Sequence, residues 1–239
     1  MAEKSNGRAR SVIGKPLRRV DGRAKVTGAT RFADDLAMPG MLFMKLLRST
    51  VPHANLGRVD GKRALAHPGV KLVLTGKDLP IPFGILPVSQ DEHALCLDKV
   101  RFVGDPIAAV IATDELTAFE ALELVDVEYQ PLDTIADPDD ALAHPEPRIH
   151  DYGDEGNIHK RVGFDFGDVD QALAASEHVF EDVFFFQGNT HLPIEQHATL
   201  AYLDGDGKLV VASSTQTPHY LHRALAKVLE LPAAHIRVI

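Results

Sequence analysis

One string constrains the fold of this 239-residue chain more than any other: Lys99-Val100-Arg101-Phe102-Val103-Gly104-Asp105-Pro106-Ile107-Ala108-Ala109-Val110-Ile111-Ala112. Residues 107–112 are an unbroken run of small and branched apolar side chains with no polar face. Such a run has to be buried on both sides, which means a central strand. Lys99 to Phe102 alternate polar and apolar, the period of an approach strand. Between the two, Gly-Asp-Pro interrupts the ladder: Gly permits positive φ, Pro lacks an N–H, and Asp can bond the local backbone.

Composition narrows the class. A hydrophobic fraction of 45% with 25% charged residues is globular. No apolar run nears the roughly 18 residues of a membrane span, and the basic, polar N-terminus has no apolar core of a secretory signal. The expectation is a soluble, cytoplasmic protein. The lone Cys96, set in Ala94-Leu95-Cys96-Leu97, rules out an internal disulfide and a thiolate-held zinc or iron–sulfur centre. It reads as a small core residue. Charge is uneven: residues 1–31 hold nine Lys or Arg and two acids, leaving 16 bases against 32 acids out of totals of 25 and 34. A basic arm on an acidic body lacks the aromatics and motifs of a nucleic-acid binder, and the body would repel phosphate. The arm is expected to pack on the fold or on a partner subunit.

Along the chain, residues 1–12 read as disordered within a basic arm, 1–19. Asp21-Gly22 and Thr27-Gly28 mark turns around a short extended piece. A strand is expected over 40–49, a short helix around 62–66 ending at Pro68-Gly69, and a strand over 70–75. Asp114 can cap a helix whose apolar face carries Leu116, Phe119, Ala121, Leu122, Leu124 and Val125. Val127-Glu128-Tyr129 returns to strand period before Pro131. The mixture is α+β, without internal repeats, and gives a first domain over 20–132.

Residues 133–160, rich in Asp, Pro, His and Gly, read as an extended surface linker. A second domain, 161–239, starts with a helix at 168–176, then long strands at 178–188 and 192–203. Asp204-Gly205-Asp206-Gly207 is a hairpin turn leading to a strand at 209–213. Thr217 and Pro218 open a helix with the stripe Leu221, Leu225, Val228, Leu229, which Pro232 ends. The final His235–Ile239 strand stops on apolar residues, so the chain is expected to be truncated.

In this order and spacing, Val20-Asp21-Gly22, Lys25-Val26-Thr27-Gly28-Ala29, the Gly104-Asp105-Pro106 strand, Pro193-Ile194-Glu195 and Ser213-Ser214-Thr215-Gln216-Thr217-Pro218 carry a resemblance. Over residues 14–239 the chain resembles the molybdenum-binding large subunits of the xanthine dehydrogenase and aldehyde oxidase family. The resemblance implies an α/β hammerhead domain over 20–132, followed by the start of an α+β molybdenum-cofactor-binding domain. Within the family, Ile81-Pro82-Phe83-Gly84-Ile85-Leu86-Pro87 with Glu92, Leu95 and Asp98–Arg101 is similar to the α subunit of 4-hydroxybenzoyl-CoA reductase. That likeness implies reductive removal of a phenolic hydroxyl in anaerobic aromatic degradation. The rivals are another hydroxylase of the family, acting on a purine or aldehyde, and a non-catalytic hammerhead assembly module.

The resemblance further implies a molybdenum–molybdopterin cofactor, in its cytosine dinucleotide form, in the complete subunit. It implies FAD and iron–sulfur clusters on partner subunits, with ferredoxin as electron donor. Gln216 is the single cofactor contact it assigns here, near an oxygen ligand of the metal. A neutral amide can donate there without adding charge; the competing reading is a solvated turn residue beside a helix cap. No catalytic or metal-ligating residue is assigned, and the chain alone is expected to be inactive.

Other signals are weaker. His219 and His222, three apart on a helix, read as a solvated helix start rather than a metal pair. His191, Glu195 and His197 could cluster on a strand face, but Glu195 reads as a structural hydrogen-bonding residue. Asp137, Asp139 and Asp140 lack the distal glutamate of a calcium loop, and Pro138 interrupts them. Phosphate-loop, dinucleotide-fold and nucleophile-elbow motifs are missing from the sequence.

Overall fold

The computed structural model of the chain describes residues 12–86, 89–153 and 155–239. In chain order the elements are α1 (Gly22–Val26), β1 (Phe43–Arg48), β2 (Ala54–Asp60), α2 (Lys62–Leu65), β3 (Val70–Thr75), β4 (Lys99–Val100), β5 (Pro106–Ala112), α3 (Glu115–Leu122) and β6 (Asp126–Pro131). They are followed by α4 (Pro138–Ala143), α5 (Val169–Ala174), β7 (Thr199–Leu203), β8 (Leu209–Ser213), α6 (Pro218–Val228) and β9 (Ile236–Val238).

The apolar run is the central strand of the first half. β5 lies between β1 and β3, antiparallel to both. Its alternate residues feed two cores. Ala108 and Val110 pack with Ala64, Ala121 and Val125; Ile107 packs with Ala54, Cys96 and Val100. The second core backs onto the sheet β4-β2-β6.

Gly-Asp-Pro behaves as its chemistry dictates. Gly104 sits at φ +98°, with open space where a Cβ would be, so conformation rather than crowding favours glycine there. Its N–H donates to the Ser49 carbonyl (2.8 Å), and Ser49 N–H donates to Asp105 O (2.8 Å). The Asp105 carboxylate accepts the Arg101 N–H at 2.9 Å. That bond takes the amide the approach strand would have used, so strand pairing covers only Lys99–Val100, and Phe102 and Val103 are exposed.

The structure corrects several other expectations. Residues 22–26 form a helical turn, closed by a Lys25–Asp21 ion pair of 2.7 Å, instead of an extended piece. Helix α3 is capped by Asp114, which accepts Thr117 N–H at 2.9 Å. Of the expected apolar face, Ala121 and Val125 are buried and Leu122 and Leu124 pack against the same core, joined by Ala118, while Leu116 and Phe119 are exposed. The helix packs on β1 and β5, with the small Ala118 and Ala121 fully buried at the contact. Phe119 is covered instead by the Lys45 ammonium, 4.5 Å from its ring centre, which also pairs with Glu115.

The linker is not merely extended. Asp137 caps α4 through Asp140 N–H (2.9 Å). Residues 144–153 and 155–159 then form a hydrogen-bonded knot in which the Asn157 side chain bonds Ile149 N–H (2.8 Å) and the His144 and Pro147 carbonyls (2.8 and 3.2 Å).

In the second half only Thr199–Leu203 of the two long expected strands is a strand; residues 177–197 hold none. Phe180, Val183, Phe184, Phe185, Phe186 and Ile194 are at least 84% exposed. Strand-like sequence becomes a strand only beside a neighbour that completes its hydrogen bonds, and β7-β8-β9 supplies none to this segment. The expected hairpin is present: Asp204 Oδ1 accepts the N–H groups of Asp206 (3.0 Å) and Lys208 (2.9 Å), and Gly207 has φ +75°. β9 runs parallel to β8, so β8, α6 and β9 make one βαβ unit. Of the basic arm, residues 1–11 lie outside the described residues. Residues 12–20 are exposed, and the arm's continuation reaches the second half through a short turn, Ala33–Asp35, beside β7.

Candidate functional site

The turn between β8 and α6 sits at the carboxyl end of a strand with a parallel neighbour, the place where open α/β units bind ligands. Its backbone is fixed at both ends. Ser214 Oγ accepts Ala198 N–H (3.0 Å), and Ser214 N–H donates to Ala198 O (3.1 Å). Thr215 N–H donates to Ser213 O (2.8 Å), and Thr217 N–H donates to Thr215 Oγ1 (3.1 Å). Thr217 makes no side-chain cap, so its hydroxyl is left to Thr215 Oγ1 at 3.4 Å. Pro218 then opens α6 without needing an N–H partner.

Gln216 stands between these two threonines, on a hydrogen-bonded turn, with its own side chain exposed. Among the described residues nothing bonds its amide. Both donor and acceptor are therefore free for a ligand approaching the strand end. The neighbouring threonines line a cleft of about 610 Å³ that also takes in Phe83, Ile85 and Tyr220. Phe83, Gly84 and Ile85 of the stretch quoted for the narrower resemblance thus share a cleft with Thr215 and Thr217, more than 120 residues away in sequence, while Gln216 itself is not among the residues that line it.

The remaining candidates separate from this site. Glu195 is exposed and, among the described residues, makes no hydrogen bond, which corrects its expected structural duty. His191 and His197 are exposed, and no group of three or more His, Cys, Asp or Glu with metal-holding geometry occurs among the described residues. His219 is exposed, but His222 is not merely solvated: its Nε2 lies 2.9 Å from Ala233 O and 3.2 Å from Ile236 O. That nitrogen must carry the proton, and the ring ties α6 to β9. Cys96 is 6% exposed, and burial first, then the nearby Asp105 charge, push its thiol pKa up.

Sequence reasoning missed a polar clasp. Lys99 Nζ donates to Arg148 O (3.1 Å) and pairs with Asp151 (3.0 Å); Arg101 Nε donates to Ile149 O (2.9 Å). His150 Nδ1 lies 2.7 Å from Asp91, and Tyr152 bonds His159 beside a small cavity of about 190 Å³. Partial burial would raise the Asp151 carboxyl, but the Lys99 hydrogen bond and the charges of Lys99, Arg101 and Arg148 outweigh it and hold it below the ordinary range. Burial, then the Asp91 charge, raise the Tyr152 phenol. The visible signal was the cationic alternation Lys99-Val100-Arg101 facing an acidic linker.

Residues 27–133 match the family profile described as aldehyde oxidase and xanthine dehydrogenase, a/b hammerhead domain. Residues 149–239 match the molybdopterin cofactor-binding domain. The chain is 40% identical over 231 residues to a subunit of a probable xanthine dehydrogenase of Bacillus subtilis (strain 168), covering 95% of this chain and 30% of that protein. It is 40% identical over 235 residues to the nicotinate dehydrogenase large molybdopterin subunit of Eubacterium barkeri, covering 98% and 54%. Among solved structures it is similar to quinoline 2-oxidoreductase from Pseudomonas putida 86, with a TM-score of 0.83 and 28% identity over 94% of this chain and 30% of that one. The chain thus spans about a third of the first relative and about half of the second.

Proposed function

This chain belongs to the xanthine dehydrogenase and aldehyde oxidase family, and we propose that it is the front part of the molybdenum-binding large subunit of a hydroxylase acting on an N-heteroaromatic substrate. The observation that carries this reading is the order of the two matched units, with the second presenting a free glutamine amide at a parallel strand end. The names of the relatives, a probable xanthine dehydrogenase and a nicotinate dehydrogenase, favour oxidation. In balance, a ring C–H and water give C–OH, two electrons and two protons. The division into 20–132, a connector over 133–160 and 161–239 is part of the same proposal.

The Gln216 turn suits a molybdopterin cofactor, since its amide is unbonded and the backbone on either side is braced by hydrogen bonds. When bound, that cofactor supplies the two-electron acceptor. Gln216 would donate its amide N–H to an oxygen ligand of the metal, orienting it without altering the charge. Flavin and iron–sulfur partner subunits, and the dinucleotide form of the cofactor, belong to this reading. Reductive dehydroxylation of 4-hydroxybenzoyl-CoA, fed by ferredoxin, is the second reading, and the 81–87 stretch favours it.

The assembled enzyme, purified with its partner subunits, tests both. Gln216→Ala is expected to keep its molybdenum, lower kcat by about tenfold or more, which corresponds to loss of about one good hydrogen bond, and alter the Mo(V) resonance. Unchanged kcat and resonance would refute the role of Gln216. Oxidation of N-heteroaromatics without reduction of 4-hydroxybenzoyl-CoA supports the first reading; the converse supports the second.

A further inference from the structure

We propose that His222 is a positioning residue for Gln216: its ring fixes how α6 is seated on β9, and α6 in turn sets the direction of the glutamine amide. The inference rests on the hydroxylase reading for what that amide does; the brace itself stands on hydrogen bonds of this chain.

Hydrogen bonds close a circuit around the Gln216 turn. One arm is β8, which enters the turn at Ser213. Ser213 N–H donates to Ile239 O (3.0 Å) and Ile239 N–H donates to Val211 O (2.9 Å), so the end of β9 is pinned to the end of β8 where the turn begins. The other arm is α6, which leaves the turn at Pro218. His222 joins this arm to the start of β9: its Nε2 lies 2.9 Å from Ala233 O and 3.2 Å from Ile236 O. Carbonyl oxygens only accept, so one N–H is shared between two carbonyls three residues apart. Those carbonyls belong to an ordered backbone. Leu231 N–H donates to Ala226 O (3.1 Å) and Glu230 N–H donates to Lys227 O (3.3 Å), with Glu230 at φ +52°, which closes the end of α6 and sets the path into Ala233.

What His222 controls is the roll of α6 about its own axis. It stands about one turn after Pro218, so a roll at His222 carries Pro218 and Thr217 with it. The helix also packs on β9, but apolar packing has no preferred direction, whereas a hydrogen bond weakens steeply as its angle closes. The start of α6 has no side-chain brace of its own, because Thr217 makes no cap bond to the first turn. Among the described residues nothing bonds the Gln216 amide either, so its direction is inherited from the backbone on its two sides. β8 and Ile239 set one side; His222 sets the other.

Three variants separate the N–H from the bulk of the ring. His222→Gln keeps a donor at nearly the reach of Nε2, His222→Leu removes it, and His222→Asn is polar but too short; it replaces the leucine variant if that one fails to fold. In the 239-residue chain, amide exchange at Thr215 and Thr217 is expected to quicken about tenfold in His222→Leu and under about threefold in His222→Gln, with β5 exchange unchanged. In the enzyme assembled with its partner subunits, His222→Leu should keep its molybdenum and KM and lower kcat by about threefold or more. It should also alter the Mo(V) resonance as Gln216→Ala does, and His222→Gln should restore both. Turn exchange unchanged in His222→Leu, or no better in His222→Gln than in His222→Leu, would overturn the brace. Quickened turn exchange with kcat and resonance unchanged would overturn the positioning role. An unchanged resonance in Gln216→Ala is a failure of the hydroxylase reading of that amide, and the exchange result does not depend on it.

Discussion

Ile107→Ala, set against Leu116→Ala, isolates what the central strand contributes. Ile107 is fully buried on β5 against Ala54, Cys96 and Val100. Truncation removes three carbons, about 2.4 kcal/mol of transfer free energy at roughly 0.8 kcal/mol each, before any term for the cavity. Collapse into that cavity is restricted. Cys96 is held by its N–H to Pro106 O at 2.7 Å, and Ala54 is paired with Val100 and Pro131 in the β2 ladders. The total expected is therefore about 3–4 kcal/mol. Leu116 has an equal claim to burial from helical periodicity, yet it is 67% exposed, and its truncation should cost under about 0.5 kcal/mol. Hydrogen–deuterium exchange of the β5 peptide, read as an opening free energy in both variants, measures the two costs. Equal costs, or less than about 1 kcal/mol for Ile107→Ala, would refute the packing argument.

The Asp151 carboxyl, held below its ordinary value, stabilises the clasp fully above that value and loses the contribution as pH falls through its folded pKa. Proteolysis within residues 144–159 should quicken as pH drops from about 5 to about 3, and Asp151→Asn should flatten that profile. Cys96 should resist iodoacetamide at about pH 8 until denaturant is added, since its buried thiol stays protonated; rapid native labelling would contradict the burial. Phe184→Ser with Phe186→Ser should reduce binding of an apolar dye without changing β5 exchange, because both rings lie on the surface.

The parts of the fold that could be read from residues alone are those where a local rule also satisfies the tertiary structure. β5 announces itself because an all-apolar strand has only one place to go, and Asp204–Gly207 and Thr217-Pro218 mark a turn and a helix start by backbone chemistry. The misreadings have a common cause. Leu116 and Phe119 obey the helical period, but the face of α3 turned to the sheet is the one carrying Ala118 and Ala121, with Leu122, Leu124 and Val125 beside them. Residues 178–188 have strand composition without a neighbour. The connector looks like loose linker because its order rests on side-chain bonds, local ones from Asn157 and distant ones from Lys99 and Arg101 about 50 positions upstream, which leave no periodic pattern. The site divides in the same way: the family resemblance singled out Gln216, whereas the cleft beside it depends on a loop and a helix that only the fold brings together.

The clasp also determines how tension would travel through the molecule. A pull on the chain beyond residue 160 meets the knot before it meets β6, because Lys99 and Arg101 grip residues 148–151. Several contacts must then part before the load reaches the pairing of β6 with β2. The connector is a strut anchored at β4, so displacement of the second half is passed on to the strand that precedes Gly104.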